Sequence, residues 1–71
     1  MKYARFTQFY HEYPLCVYVA VETIRQLCFF VENGPHGLFG CLIFIDGTDT
    51  PFIVRGNEAT VREAIRGACP L

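Results

Sequence analysis

The sequence predicts an α+β domain, namely a small antiparallel β-sheet of about four to five strands with one C-terminal α-helix. Three observations support this fold class. Short apolar segments alternate with clusters of Gly, Pro, Asn and Asp, which are typical of turns. The pair Asp46-Gly47 lies between two apolar segments, as in a β-hairpin. Downstream of Asn57 the apolar residues recur at helical spacing, and the whole chain, 1–71, is predicted to form a single domain.

The predicted strands follow one another along the chain as an antiparallel meander. They cover residues 2–10, 15–21, 23–32, 38–45 and 50–55. Their content of aromatic and β-branched residues is typical of strands. Pro14 separates the first two segments, because proline is tolerated at the start of a strand but not inside a central one. Gly and Pro in residues 33–37 predict a loop between the third and fourth strands.

The C-terminal segment has the signals of a short helix. Asn57 is a good N-cap, because its side-chain oxygen accepts a hydrogen bond from a backbone N–H of the first turn. Glu58 and Arg62 are four residues apart, which is the spacing of a favourable ion pair on a helix. Gly67 and Pro70 end the pattern. The apolar stripe predicted to face the sheet consists of Ala59 or Val61, then Ala64, Ile65 and Ala68.

The segment 38–45 raises the main structural question, because every residue in it except Gly40 carries an apolar side chain. A half-covered strand alternates apolar and polar residues, so both faces of this strand need a cover. A helix of about ten residues spans about 15 Å and covers one face. The second face is covered either by the aromatic residues near the N-terminus or by a second copy of the chain. We predict a homo-oligomer, most simply a dimer, and its interface is either Phe39, Cys41, Ile43 and Ile45, which we favour, or Leu38, Leu42 and Phe44.

Charge and hydropathy narrow the choice of partners. The net charge is −1 and charged residues make up 18% of the chain, so no strong field attracts nucleic acid or an acidic membrane. Apolar residues make up 52%, which is more than a small core easily buries and favours a protein-binding surface. No apolar segment approaches the roughly 20 residues of a membrane span. Residues 1–14 also lack the apolar core of a signal peptide, so we expect a cytoplasmic protein without a membrane partner.

The four cysteines, Cys16, Cys28, Cys41 and Cys69, include no C-x-x-C pair. In a cytoplasmic chain this spacing favours reduced thiols. Three of them lie in apolar segments, where a free cysteine acts as a small hydrophobic residue, and Cys69 is expected to be exposed. A zinc site would need the two histidines together with two of these thiols, but the closely spaced ligand pairs of such sites are missing. We therefore predict no metal and no other cofactor; the zinc set considered is His11, His36, Cys16 and Cys41.

Two further motifs are explained by backbone geometry. Gly34, Gly37 and Gly40 have the spacing of a phosphate loop, but a strand follows them instead of a helix N-terminus, which favours a hairpin loop. Asp46 and Asp49 form a pair of carboxylates at a turn, and Asp-Gly is common in turns for conformational reasons. A nucleophilic cysteine needs a lowered pKa, whereas apolar surroundings raise it. The sequence therefore predicts no catalytic residue.

A longer pattern runs through residues 17–66. It consists of "VYVAVETI" at the end of a strand, a hairpin carrying "LIFIDG", and "FIVRGNEATVREAI" across a strand and the start of the helix. This pattern resembles the small FlbD family of flagellar-associated proteins and, more loosely, the RemA-type regulators. The resemblance implies a small sheet with a short helix, and for the RemA type an oligomer that binds DNA. The residues that fit it are Val19, Val21, Ile24, Leu42, Phe44, Asp46, Gly47, Val54, Val61 and Ile65.

Taken together, these features predict a non-catalytic protein-binding module. The favoured role is inhibition of a larger protein complex by steric occlusion, as in small phage-encoded anti-CRISPR proteins, which this chain resembles in size and style. One alternative is an oligomeric regulator of the FlbD or RemA type with DNA as a ligand, and another is a small-ligand-binding protein with a pocket at a dimer seam. Because interfaces concentrate their energy in aromatic and Arg anchors, the predicted partner contacts are Arg55, Arg62, Arg66 and His36.

Overall fold

The computed structural model describes residues 1–10, 15–32 and 37–71, and it has the predicted α+β class. Within these ranges the chain forms five antiparallel strands and one α-helix. A short 3-10 helix, Val21–Thr23, joins the second strand to the third. The elements are β1 (Tyr3–Thr7), β2 (Cys16–Ala20), β3 (Ile24–Glu32), β4 (Leu38–Ile45), β5 (Phe52–Arg55) and α1 (Glu58–Arg66).

The strands form two sheets and not one continuous meander. β1 pairs with β2 in the first sheet, and β3, β4 and β5 form the second sheet in that order. The 3-10 helix turns the chain out of the first sheet before β3 begins. An antiparallel bridge between Gln8 and Val54 attaches the end of β1 to β5, and the Phe9 N–H donates to the Ile53 carbonyl at 3.0 Å. The N-terminal hairpin is thus joined to the second sheet over a short length of chain.

The hydrophobic core lies where the two sheets and the helix meet. Side chains from β1, β2, β4, β5 and α1 all contribute to it, so each element buries one face against the others. The face of β3 and β4 that carries Leu27, Phe29, Cys41 and Ile43 is the core face of the second sheet. The core residues are Ala4, Phe6, Val19, Cys41, Ile43, Val54 and Val61.

Helix α1 forms as predicted, and its contacts place it on the core face. The Asn57 side-chain oxygen accepts a hydrogen bond from the Thr60 N–H at 2.9 Å, which satisfies one of the free donors of the first turn. Val61 is completely buried while Ala59 is exposed, which decides between the two predicted starts of the stripe. Beyond the helix, Cys69 and Tyr3 exchange two backbone hydrogen bonds of 2.9 and 3.2 Å. These bonds tie the end of the chain to β1.

The opposite side of the three-stranded sheet is called the outer face here. The cross-strand register places ten residues on it. Most of the apolar ones are half-buried, so this face is covered only in part. It consists of Gln26, Cys28, Phe30 and Glu32 on β3, Leu38, Gly40, Leu42 and Phe44 on β4, and Ile53 and Arg55 on β5.

An aromatic residue from the N-terminal segment covers part of this outer face. Phe9 is 4% exposed, and its ring packs edge-on against Phe30 with the centroids 5.2 Å apart. The Phe30 ring in turn lies against the backbone at Gly40, where an added Cβ would come within 2.8 and 2.9 Å of its Cε1 and Cε2 atoms. Gly40 therefore lacks a side chain because Phe30 occupies that space. Among the described residues, the N-terminal aromatics reach the second face through Phe9.

The favoured oligomer interface needs correction. Cys41 and Ile43 have no exposed surface, because β1 and α1 of the same chain cover them. Ile45 is half-buried against the same core, and of the four predicted residues only Phe39 is well exposed. Since both faces of β4 are apolar, the sequence contains no alternation from which its core face could be chosen. A second copy cannot contact Cys41 and Ile43 while this fold is intact.

Candidate contact surfaces

The predicted partner-binding arginines do not share one surface. Val54 faces the core, so Arg55, the next residue of β5, lies on the outer face. Val61 packs into the core cluster that contains Val54, which places α1 on the core side of the sheet. Arg62 and Arg66 are exposed on this helix. Arg55 and the two helical arginines therefore lie on opposite sides of the sheet.

On α1 the arginines are matched by carboxylates. Arg62 Nε lies 3.3 Å from Glu58 Oε1, and Arg66 Nη1 lies 3.1 Å from Glu63 Oε2. All four side chains are mainly exposed, so each pair contributes little to stability. The exposed surface of the helix thus has balanced charge, and it is not a basic patch.

Arg55 has a structural contact of its own. Its Nε donates to the Phe9 carbonyl at 3.3 Å, so it holds the N-terminal segment against the outer face. The remaining predicted contact, His36, lies outside the described residues. Arg55 still belongs to the exposed residues and is accessible to a partner at the sheet surface.

The most exposed apolar cluster of the sheet lies at the end of the β3–β4 hairpin. Val31 pairs across the strands with Phe39, and Leu38, the residue before Phe39 on β4, points to the opposite face of the sheet. Their exposed fractions are 53%, 52% and 51% respectively. We call Val31, Leu38 and Phe39 the hairpin-end patch. Phe39 and Leu38 belong to the two alternative dimer faces predicted from the sequence, whereas Val31 was not singled out there.

Charged residues border the hairpin-end patch. Glu32 pairs across the strands with Leu38, and Arg55 pairs with Gly40, which lies two residues from Leu38 on the same face. The Gly56 N–H donates to the Phe39 carbonyl at 3.0 Å, which keeps the residues after β5 beside the patch. The structure therefore brings two predicted contact residues to one end of the sheet, Phe39 on one face and Arg55 on the other.

The cysteines occupy different environments. All four are free thiols. Cys16 is exposed, contrary to the expectation from its apolar segment, and its Sγ lies 3.2 and 3.1 Å from Nε and Nη2 of Arg5. These hydrogen bonds raise the pKa of the Arg5 guanidinium above its ordinary value. At Cys41, burial is the largest influence on the pKa of the thiol, and it raises this pKa above its ordinary value.

The zinc ligands considered from the sequence are not brought together in the part of the chain that the structure describes. Cys16 lies on the surface of the N-terminal hairpin and Cys41 in the core, while His11 and His36 fall outside the described residues. Within residues 1–10, 15–32 and 37–71, no three side chains of His, Cys, Asp or Glu lie close enough to hold a metal ion. Asp46 and Asp49 are both exposed in the turn after β4.

Thiol reactivity should follow burial. The thiolate is the reactive form of cysteine, and both burial and the raised pKa keep Cys41 in its unreactive form. In the native protein we expect Cys16 and Cys69 to react rapidly with Ellman's reagent and half-buried Cys28 to react more slowly. Cys41 should react only after guanidinium unfolds the chain. Mass spectrometry of the labelled peptides identifies each site, and rapid labelling of native Cys41 would contradict its position in the core.

A shallow groove lies where residues 8–10 run beside β5. It is lined by Gln8, Tyr10, Pro51, Phe52 and Ile53. The Gln8 Oε1 atom is buried there and accepts no hydrogen bond from the described residues. The predicted small-ligand site at a dimer seam differs from this groove, which is formed by one chain.

Comparison of the chain with protein-family models, with curated protein sequences and with solved structures finds no match. Among the described residues, no helix is both long enough and apolar enough to cross a membrane. The fold and its surfaces define a small α+β protein with an exposed apolar sheet end. Its role must be inferred from the chemistry of that surface.

Proposed function

We propose that this protein is a non-catalytic protein-binding module that acts in the cytoplasm by occupying a surface that a larger complex needs. The observation that carries this proposal is the hairpin-end patch. Its three large apolar side chains lie at the same end of the sheet, Val31 beside Phe39 on one face and Leu38 on the other, and each is more than half exposed. A contiguous exposed apolar patch on a small protein marks an interaction site more often than single apolar residues do.

The composition of this surface suits a protein partner. Interfaces combine an apolar, often aromatic centre with a polar rim, and their strongest contacts are enriched in aromatic residues and Arg. Here Phe39 and Val31 supply an apolar centre on one face of the sheet end, while Glu32 and Arg55 place charges of opposite sign on the other face, beside Leu38. A partner of matching shape would bury the apolar residues and pair with the rim.

Two features favour binding over chemistry or nucleic-acid recognition. Among the described residues no polar or charged residue is buried, whereas catalytic groups depend on burial and close charges to tune their pKa values. The arginines of α1 are paired with carboxylates, so the helix offers no continuous positive surface for a phosphate backbone. These features support occlusion as the mode of action.

The test compares the wild-type chain with the variant Phe39→Ser. We expect host proteins retained by the immobilised wild type to be lost from the variant, with an affinity about tenfold lower for the purified partner. The free energy of unfolding should change by only about 0.5 kcal/mol or less, because Phe39 is already half exposed. Isothermal titration calorimetry and urea unfolding measure the two quantities.

Leu71→Ser is the matched control. It removes an apolar side chain that is 80% exposed and lies 32 residues after Phe39 in the sequence, outside the patch. This control should bind as the wild type does. The double charge reversal Arg62→Glu and Arg66→Glu tests the predicted helical contacts. If it alone abolishes binding, the contact surface lies on α1 and the patch assignment fails. Tight binding to naked DNA with a steep salt dependence would instead support the regulator alternative.

A further inference from the structure

The edge of the second sheet offers a further binding surface, beyond the proposed function. Among the described residues, β3 pairs with β4 along one side only, and at nine residues it is the longest strand there. An edge strand presents a row of backbone N–H and C=O groups that another strand can pair with. We propose that the partner at this edge is β3 of a second copy of the chain, paired antiparallel about a two-fold axis.

The β3 edge lacks most of the features that prevent strand addition. Proteins protect such edges with proline, lysine, short strands or bulges. Residues 24–32 contain no proline or lysine, and the register shift falls at their start, between Ile24 and Gln26. From Gln26 to Glu32 the pairing with β4 is regular. The other edge strand of the second sheet, β5, has four residues and is already bridged by Gln8, so it offers a shorter template.

The charges of β3 favour self-pairing in the antiparallel direction. Arg25 lies at the start of the strand and Glu32 at its end, and both are exposed. An antiparallel two-fold pairing centred on Cys28 sets Arg25 of each copy opposite Val31 of the other, one residue from its Glu32, within reach of the two long side chains. A parallel pairing would set like charges beside each other, which is unfavourable. The strand is therefore electrostatically complementary to a reversed copy of itself.

The apolar faces also continue across this contact. A two-fold axis perpendicular to the sheet keeps the core face and the outer face on the same sides in both copies. A register centred on Cys28 sets Leu27 opposite Phe29 of the second copy, and Gln26 opposite its Phe30. Leu27, Cys28, Phe29 and Phe30 are half-buried in one chain, so the added strand extends their cover. The two three-stranded sheets become one sheet of six strands.

This pairing leaves Phe39, the aromatic residue of the hairpin-end patch, free, although Val31 and Glu32 of β3 lie in both surfaces. Leu38 and Phe39 lie on β4, which is already paired on both sides, so strand addition leaves them exposed. The dimer would present two hairpin-end patches to a partner. Loss of dimerisation and loss of partner binding are separable through Arg25 and Cys28, which belong to the dimer contact alone, and through Phe39, which belongs to the patch alone.

Oxidative cross-linking tests the register. Directly opposed residues of antiparallel strands have Cα atoms about 4.5 to 5.5 Å apart, within the range that a disulfide spans. In the variant Cys16→Ser, Cys69→Ser, treatment with diamide should yield a covalent dimer whose peptides are joined through Cys28. The same background with Cys28→Ser should remain uncross-linked. A monomeric product in the first variant would overturn the Cys28-centred pairing.

Charge reversal with rescue tests the contact without cysteine chemistry. Sedimentation should give twice the 8.1 kDa mass of one chain. Arg25→Glu or Glu32→Arg alone should raise the dimer dissociation constant about tenfold, because two attractive pairs become repulsive. The double swap Arg25→Glu, Glu32→Arg should restore it. A monomer at all concentrations, or a dimer insensitive to both single reversals, would overturn the proposal. Hydrogen exchange gives a further test. If the backbone amides of β3 become protected only when a host protein is bound, the edge pairs with a strand of that protein and the proposal is overturned.

Discussion

Replacing Phe9 by Ala should lower the free energy of unfolding by about 3 to 5 kcal/mol, the usual cost of removing a buried Phe ring. Phe9 is the aromatic residue that closes part of the outer face against Phe30, and it is 4% exposed. A chain of this size has a total stability of roughly 0.05 to 0.15 kcal/mol per residue. The variant should therefore be close to its unfolding midpoint at moderate temperature, which urea unfolding followed by circular dichroism will measure.

The adjacent residue provides the matched control. Tyr10 packs edge-on against Phe9 at 4.8 Å, but its side chain is 68% exposed. Tyr10→Ala should cost about 1 kcal/mol or less, since it loses one aromatic contact and little buried area. If the two substitutions cost the same, Phe9 does not serve as the cover of the outer face.

Ile43→Ala should destabilise the chain by about 2 to 5 kcal/mol, because it leaves a cavity at a completely buried position of β4. Ile43→Val removes one methyl group and should cost about 0.5 to 1.5 kcal/mol. The difference in the free energy of unfolding between Ile43→Ala and Ile43→Val reports how closely the core is packed around this side chain. Both variants should unfold at lower urea concentration, with an unchanged dependence on urea, if only the native state is affected.

Leu38→Ala is the control in the same strand, because Leu38 is 51% exposed. It should change the free energy of unfolding by about 0.5 kcal/mol or less. A dimer interface formed by Ile43 would give a different pattern: Ile43→Ala would weaken association at nearly constant monomer stability. Measuring unfolding at several protein concentrations separates these two outcomes.

Local signals in the sequence were sufficient to predict the helix and the positions of the strands. Asn57 caps α1 by the hydrogen bond that its side chain predicts, and Val61 and Ile65 face the core at helical spacing. The pair Asp46-Gly47 forms the turn after β4, where Gly47 adopts a φ of +89°, which favours glycine. Each of these features depends on neighbours within a few residues, so no knowledge of the tertiary structure was required.

Which face of β4 lies in the core, and where the exposed contact surface lies, are determined by residues that are distant in the sequence. Both faces of β4 are apolar, and the choice between them is made by β1 and α1 on one side and by Phe9 on the other. The need for glycine at position 40 is explained only by the tertiary structure, because the Phe30 ring occupies the space of a side chain there. In the same way, the arginines of the helix and Arg55 looked alike in the sequence, and only the fold separates them to opposite sides of the sheet.

The attachment of β1 to late parts of the chain constrains how the protein is synthesised. Phe9 and Arg55, which are hydrogen-bonded, are separated by 46 residues, and Tyr3 pairs with Cys69 beyond the helix. The N-terminal hairpin therefore leaves the ribosome well before the residues that cover Phe6 and Val19 have emerged. During that interval its apolar face is exposed to chaperones and to other nascent chains. Synonymous codons that slow translation after residue 20 should lengthen this interval and increase aggregation, while the sequence of the protein is unchanged.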